Sequence, residues 1–199
     1  MLKDWLFYPL AAFTVLGMVI FAMSFAEEFD LTDCEIWTQG YVMTGEDLSR
    51  LTAQPGTQAE FVAQAGGQPA YARLTSTVAR ETLPSDKPGI FAPLGVEYER
   101  AFATQRLRLT IAARSSANSG LDHFDMGYFS AGSGDSPWIR KNLTKTWKNY
   151  VMDYRPGALT AQVGLDHFSM WPGETGELLS MDVREMRVKV LDPPSCKGS

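Results

Sequence analysis

Arg106-Leu107-Arg108-Leu109-Thr110-Ile111-Ala112-Ala113-Arg114 alternates with a period of two. Leu107, Leu109, Ile111 and Ala113 fall on one face and the arginines on the other, the pattern of a half-buried β-strand. Working outward, Met186-Arg187-Val188-Lys189-Val190 repeats the scheme near the C-terminus. Phe124, Met126 and Tyr128 alternate in the same way, as do Tyr150, Met152 and Tyr154. Stretches that turn readily separate these strands: 115–120, 131–135, Arg155-Pro156-Gly157 and Trp171-Pro172-Gly173. Past residue 30 no long stretch carries a helical apolar period. Only residues 44–52, with Thr44 as N-cap and Asp47 three residues on, read as a short helix. Many short strands and few helices predict an all-β fold, an antiparallel β-sandwich of jelly-roll type, over residues 34–192. No long Pro-, Gly- or Ser-rich linker divides that span, and residues 193–199 follow it as a tail.

The N-terminus reads differently. From Trp5 to Ala26 there are 22 residues without a charged side chain. As a helix they extend roughly 33 Å, enough for a bilayer core of about 30 Å. The run is apolar on every face, with Trp5 and Tyr8 at one end, where amphipathic aromatics favour the headgroup zone. The expectation is a single transmembrane α-helix over 5–26. A cleaved signal peptide, with Ser24-Phe25-Ala26 as the cleavage site, is the alternative, although its apolar region is normally shorter. Lys3 precedes the run, and Glu27, Glu28, Asp30 and Asp33 follow it in the acidic juxtamembrane segment 27–33. The positive-inside bias then leaves residues 1–4 cytoplasmic and the sandwich outside the cytoplasm, periplasmic in a bacterium. Cys34 lies too far past the apolar run to be a lipoprotein cysteine.

Among 199 residues the hydrophobic fraction is 45% and the charged fraction 21%, which excludes a disordered chain. The net charge is −5 and no Lys/Arg-rich run occurs, so the basic footprint that nucleic acid requires is missing. No P-loop, dinucleotide fingerprint or Cys/His zinc spacing is present, so neither cofactor nor metal is expected. The two cysteines, Cys34 and Cys196, flank the predicted sandwich. First and last strands of a sandwich often lie close together, and an exported compartment permits oxidation, so a disulfide is expected. Two free thiols are the alternative.

The succession of an Arg-rich alternating strand, a Gly/Ser loop, a strand with Trp147 and Tyr150, and a closing Met181-Asp182-Val183-Arg184 resembles bacterial carbohydrate-binding jelly rolls. It is similar, too, to galactose-binding-like sandwiches in general. The resemblance covers roughly residues 60–192 and implies a jelly roll, a fold whose members bind carbohydrates, proteins, lipids or nothing known, so that it assigns no function by itself.

Three constellations are candidates for chemistry. Gly120-Leu121-Asp122-His123-Phe124 recurs as Gly164-Leu165-Asp166-His167-Phe168, and these repeats hold both histidines. Two Asp–His units converging on neighbouring strands would make a metal or pH-sensitive site. Two similar strand starts with independent histidines are the simpler reading, with His123 and Asp125 on the face opposite Phe124. Second, Gly132-Ser133-Gly134-Asp135-Ser136 offers Ser133 or Ser136 as a hydrolase nucleophile, but it lacks the spacing of a nucleophile elbow. A polar hairpin loop is the better reading. Third, Trp138 and Trp171 sit in Gly/Pro-containing stretches where they can stack on sugars or anchor a protein interface. Trp147 is read as core, and Glu174, Glu177, Asp182 and Glu185 as a solvated rim. The candidate ligand-binding set is therefore Tyr128, Trp138, Trp171, His123, Asp125 and His167, with no catalytic residue. The main reading is a non-catalytic, membrane-anchored accessory or scaffolding module of an envelope complex, with a membrane and a protein partner. The alternatives are a glycan-binding module and, last, a serine hydrolase.

Overall fold

Leu107–Ser115 forms the long strand β6, with Leu107, Leu109, Ile111 and Ala113 fully buried. β6 lies between β11 (Ser180–Val190) and β9 (Lys148–Tyr154), both antiparallel to it. β11 is long enough to pair also with β4 (Tyr71–Ser76) through its first half and with β1 (Tyr41–Thr44) through its second. β3 (Thr57–Val62) extends the sheet beyond β4. The result is a six-stranded sheet ordered β3-β4-β11-β6-β9, with β1 on β11. A second, five-stranded sheet runs β2 (Thr52–Ala53), β5 (Ile90–Leu94), β10 (Asp166–Pro172), β7 (His123–Phe129), β8 (Ile139–Asn142). The computed structural model describes residues 13–18, 31–84, 87–117, 121–160, 164–173 and 179–196.

The two sheets bury their inner faces against each other as a sandwich. Leu74, Leu107, Leu109 and Ile111 come from one sheet, and Ile90, Leu94, Phe124, Met126 and Phe168 from the other, all without exposed surface. Phe124 meets Tyr150 edge-on with ring centroids 5.2 Å apart, joining the layers. A bulge interrupts the β6–β11 ladder between Val183 and Glu185. The inserted residue resets the alternation, so that Met181, Val183, Met186 and Val188 all stay buried.

Two seven-residue helices that the apolar period does not reveal complete the fold. Asp33–Gln39 starts at a capping box, in which the Thr32 side chain accepts from the Glu35 N–H and the Glu35 carboxylate accepts from the Thr32 N–H. It ends at Gly40, where φ is +71° and a Cβ would stand 2.2 Å from the Val188 carbonyl oxygen. Val96–Phe102 follows β5 and receives the first helix, whose Trp37 indole donates to the Ala101 carbonyl at 2.6 Å. The expected helix at 44–52 is a 3-10 helix over Gly45–Arg50, and Thr44 makes no side-chain cap there. Cys34 and Cys196 are disulfide-bonded, which ties the first helix to the segment after β11.

The chain divides into two compact units, residues 1–31 and 32–199. In the first, residues 13–18 are helical, and the remainder of the expected span 5–26 lies outside the described residues. Among the described residues no helix is long and apolar enough to cross a membrane.

Candidate functional site

The outward face of the five-stranded sheet is built from the register of β7, β8 and β10. Phe124, Met126 and Tyr128 point inward, so His123, Asp125 and Phe129 point out, and Asp125 stands opposite both Trp171 and Arg140. The chain after β4 crosses this face. Trp171 donates its indole N–H to the Val78 carbonyl at 3.1 Å, and Arg140 bonds Glu81 at 2.8 Å. Between that crossing and the sheet lies a cleft of about 350 Å³ lined by Arg80, Glu81, His123, Asp125, Arg140 and Trp171.

The cleft is charged and ordered. Arg140 grips Asp125 through two bonds, Nε to Oδ1 at 3.0 Å and Nη2 to Oδ2 at 3.2 Å. Such a fork-to-carboxylate pair fixes both side chains. The same Arg140 Nη2 also donates to Glu81, whose carboxyl is kept below the usual range by its backbone N–H and by Arg140. These carboxylates in turn raise the Arg140 guanidinium above its ordinary value, the Asp125 bonds foremost. His123 Nδ1 lies 2.6 Å from the exposed Asp122 carboxylate, with its ring at the cleft margin. Arg80 Nη1 is buried without a hydrogen-bond partner among the described residues. Gly89 (φ +69°) presses on Trp171 from the other side, where a Cβ would come within 2.5 Å of the indole. Two guanidiniums and two carboxylates thus converge on one space walled by the indole, a donor and acceptor set suited to a polyhydroxylated ligand.

Three of the expected ligand residues, His123, Asp125 and Trp171, meet in this cleft. Trp171, expected in a turn, belongs to β10 and is 1% exposed, so it walls the cleft and offers no ring face for stacking. Tyr128 requires correction, because it is fully buried in the inter-sheet core and donates its hydroxyl to Asp166. A side chain without surface cannot touch a ligand. Trp138 flanks the cleft, packed on Phe129 at 4.9 Å with the Arg80 guanidinium over its ring at 5.8 Å. His167 stands apart, tilted on Phe91 at 4.3 Å. It pairs with Phe129, six residues along β7 from His123, or roughly 20 Å at ~3.4 Å per residue. The two Asp–His units therefore do not converge, and burial holds the His167 imidazole below its ordinary value. Ser133 and Ser136 are buried loop ties. The first donates to Ser130 Oγ at 2.8 Å, and the second accepts from the Tyr128 N–H at 2.8 Å. Arg80, Glu81 and Arg140 were not singled out from sequence. The available signal was Ile139-Arg140-Lys141-Asn142, a polar edge strand whose arginine falls opposite Asp125.

Beyond the cleft, the repeated Asp has two fates: Asp122 is exposed, whereas Asp166 is fully buried. Burial pushes the Asp166 carboxyl from 3.8 up to about 6. Hydrogen bonds from Ser130 and Tyr128 oppose the rise, while Glu99 and Asp135 add to it. Between these two values the folded chain binds a proton that the unfolded chain has released, so Asp166 lowers stability as pH rises through that window. His167 acts in the opposite sense, so wild type must be compared with Asp166→Asn. The variant is expected to gain on wild type by about 2–3 kcal/mol between pH ~4 and ~7. Thermal melts across that range check this, and parallel curves would refute it.

No protein-family profile matches the chain, and no curated protein matches it by sequence. Solved structures do match. The C-terminal family 22 carbohydrate-binding module of Clostridium thermocellum Xyn10B superposes with a TM-score of 0.54 at 13% identity, over 78% of this chain and 95% of the module. The CBM22-2 xylan-binding domain from Paenibacillus barcinonensis Xyn10C gives 0.53 at 11% identity, over 75% of this chain and 98% of the domain. The sandwich thus has a carbohydrate-binding-module-like jelly-roll fold.

Proposed function

We propose that the chain is a glycan-binding module tethered to a membrane by residues 5–26 and displayed outside the cytoplasm. The observation that carries the binding reading is the cleft itself, where Arg80, Glu81, Asp125, Arg140 and His123 converge against Trp171. Carboxylates accept from sugar hydroxyls and guanidiniums donate to them, with the buried indole holding the wall of the cleft in place. The similar domain from Paenibacillus barcinonensis Xyn10C is described as xylan-binding, which makes neutral β-linked glycans the first ligands to test. The tether rests on the uncharged run Trp5 to Ala26 and its acidic flank. A module held there gains effective concentration towards membrane-bound partners, which accommodates an accessory role in an envelope complex.

The test takes full-length chain from carbonate-washed membranes into non-ionic detergent and titrates it with xylan-type and other neutral oligosaccharides. Binding is expected to shift tryptophan emission, with Arg80→Gln weakening affinity by about tenfold. Silence across the whole set would remove the glycan reading. Loss of the chain from the washed membranes would remove the tether alone.

A further inference from the structure

The opposite surface of the molecule, the outward face of the six-stranded sheet, carries an arginine–aromatic cluster that the cleft does not use. Arg73 on β4, Asp182 on β11 and Arg114 on β6 stand in one cross-strand row. The residue before β9, Trp147, closes that row. Arg73 Nε and Arg114 Nε bond the two oxygens of Asp182 at 3.0 and 3.1 Å, and Arg73 Nη2 bonds the Tyr71 hydroxyl at 3.1 Å. The guanidiniums of Arg114 and Arg184 both lie over the Trp147 ring, at 4.5 and 5.0 Å, and Tyr71 meets Trp147 edge-on at 6.3 Å. Arg184 is the bulge residue of β11. It has no ion pair among the described residues and lines a groove of about 490 Å³ with Phe61 and Gln64. The carboxylates of that groove are Glu46 and Glu185, the latter engaged by Arg187 at 2.8 Å. Glu60, on β3, stands opposite Arg73.

Two guanidiniums therefore converge on the single fully buried carboxylate of Asp182, and a third, Arg184, shares the Trp147 ring with one of them and has no ion pair among the described residues, which leaves a cationic spot on a chain of net charge −5. Asp182 takes only the Nε atoms of Arg73 and Arg114, so the outer N–H groups of Arg114 and the guanidinium of Arg184 are left to donate to a ligand. We infer that this face is a second binding site, for the carboxylate or sulfate groups of an acidic polysaccharide. Arginine forks match planar and tetrahedral oxyanions, and rings that already hold guanidiniums in place reduce the ordering cost of binding. The spot is too small to neutralise a phosphate at every step of a nucleic acid, whereas a uronate or sulfated chain presents sparse anions on sugar rings.

Full-length chain in non-ionic detergent is titrated with polygalacturonate, dextran sulfate and unsulfated dextran. The expected result is binding of the two anionic polymers only, weakened by added NaCl as exposed charge pairs are screened. Arg184→Gln, which breaks no ion pair among the described residues and should leave the melting temperature unchanged, is expected to weaken that binding by about tenfold. Trp147→Ala should act in the same direction, while Arg80→Gln in the cleft should leave it alone. Equal affinity for unsulfated dextran, or for glycerol phosphate as a lipid-headgroup probe, would overturn the assignment to acidic saccharide. Undiminished binding by Arg184→Gln and Trp147→Ala would overturn the site. Neither outcome touches the neutral-glycan reading of the cleft, which is tested with different ligands and a different variant.

Discussion

Replacing Cys34 and Cys196 together by serine is expected to lower the unfolding free energy by about 5 kcal/mol, the largest single loss in this molecule. The bond closes a loop with a sequence separation of 162. In the chain-entropy model the stabilisation grows with the logarithm of that length, which gives about 5 kcal/mol at 25 °C. Little else holds the start of the sandwich. The helix Asp33–Gln39 has seven residues, below the length at which an isolated helix persists, and Ile36 is its only buried residue. Its other ties are the Trp37–Ala101 hydrogen bond and the exposed Asp33–Arg100 pair at 3.0 Å. Chemical denaturation with and without reductant measures the effect, and a mild reductant should reproduce the double variant. A shift below about 1 kcal/mol would mean that the unfolded chain is already constrained by other means.

The second large effect is expected at Asp182. Its carboxylate is fully buried and accepts from Arg73 Nε at 3.0 Å, Arg114 Nε at 3.1 Å and Ser116 Oγ at 2.7 Å. Asp182→Ala removes the buried negative charge beneath two guanidiniums and deprives three donors at once. Breaking one partner of a buried pair costs about 3–5 kcal/mol, because the remaining charge is left uncompensated. Arg73 and Arg114 retain 37% and 26% of their side-chain surface and can turn partly to water, so the lower end, about 3 kcal/mol, is expected. Asp153 is the control. It pairs with Arg108 at 2.8 Å on the same sheet but in the open, and Asp153→Ala should cost less than about 1 kcal/mol. Urea unfolding of both variants decides the matter. Equal losses would show that the burial of Asp182 is immaterial.

Asp182 also shows where sequence reading stops. Alternation places it on the outward face of β11, and from there a solvated rim is the natural expectation. The arginines that cover it come from β4 and β6, distant in sequence by 109 and 68 positions, and only strand pairing brings them together. Trp147 was misplaced for the same reason: with two guanidiniums over its ring, an outward tryptophan is half-buried without entering the core. Two other features were legible and passed over. Thr32-Asp33-Cys34-Glu35 is a capping-box signature, and it begins a helix. The step of three from Val183 to Met186 breaks the period of two, and it marks the bulge that turns Arg184 outward.

What the sequence determined by itself was local and periodic. Alternation in β6, β7, β9 and β11 specifies which side chains are inside, because a strand has only two faces and one of them must be dry. That suffices for an antiparallel sandwich, and the two flanking cysteines suffice for its closure. The sites were decided by tertiary structure. Whether Asp166 is buried while Asp122 is solvated, whether Trp171 is exposed or covered, and which arginine meets Asp125 all depend on register and on the chain segment crossing the sheet. Those are contacts between residues far apart in sequence, and no local period encodes them.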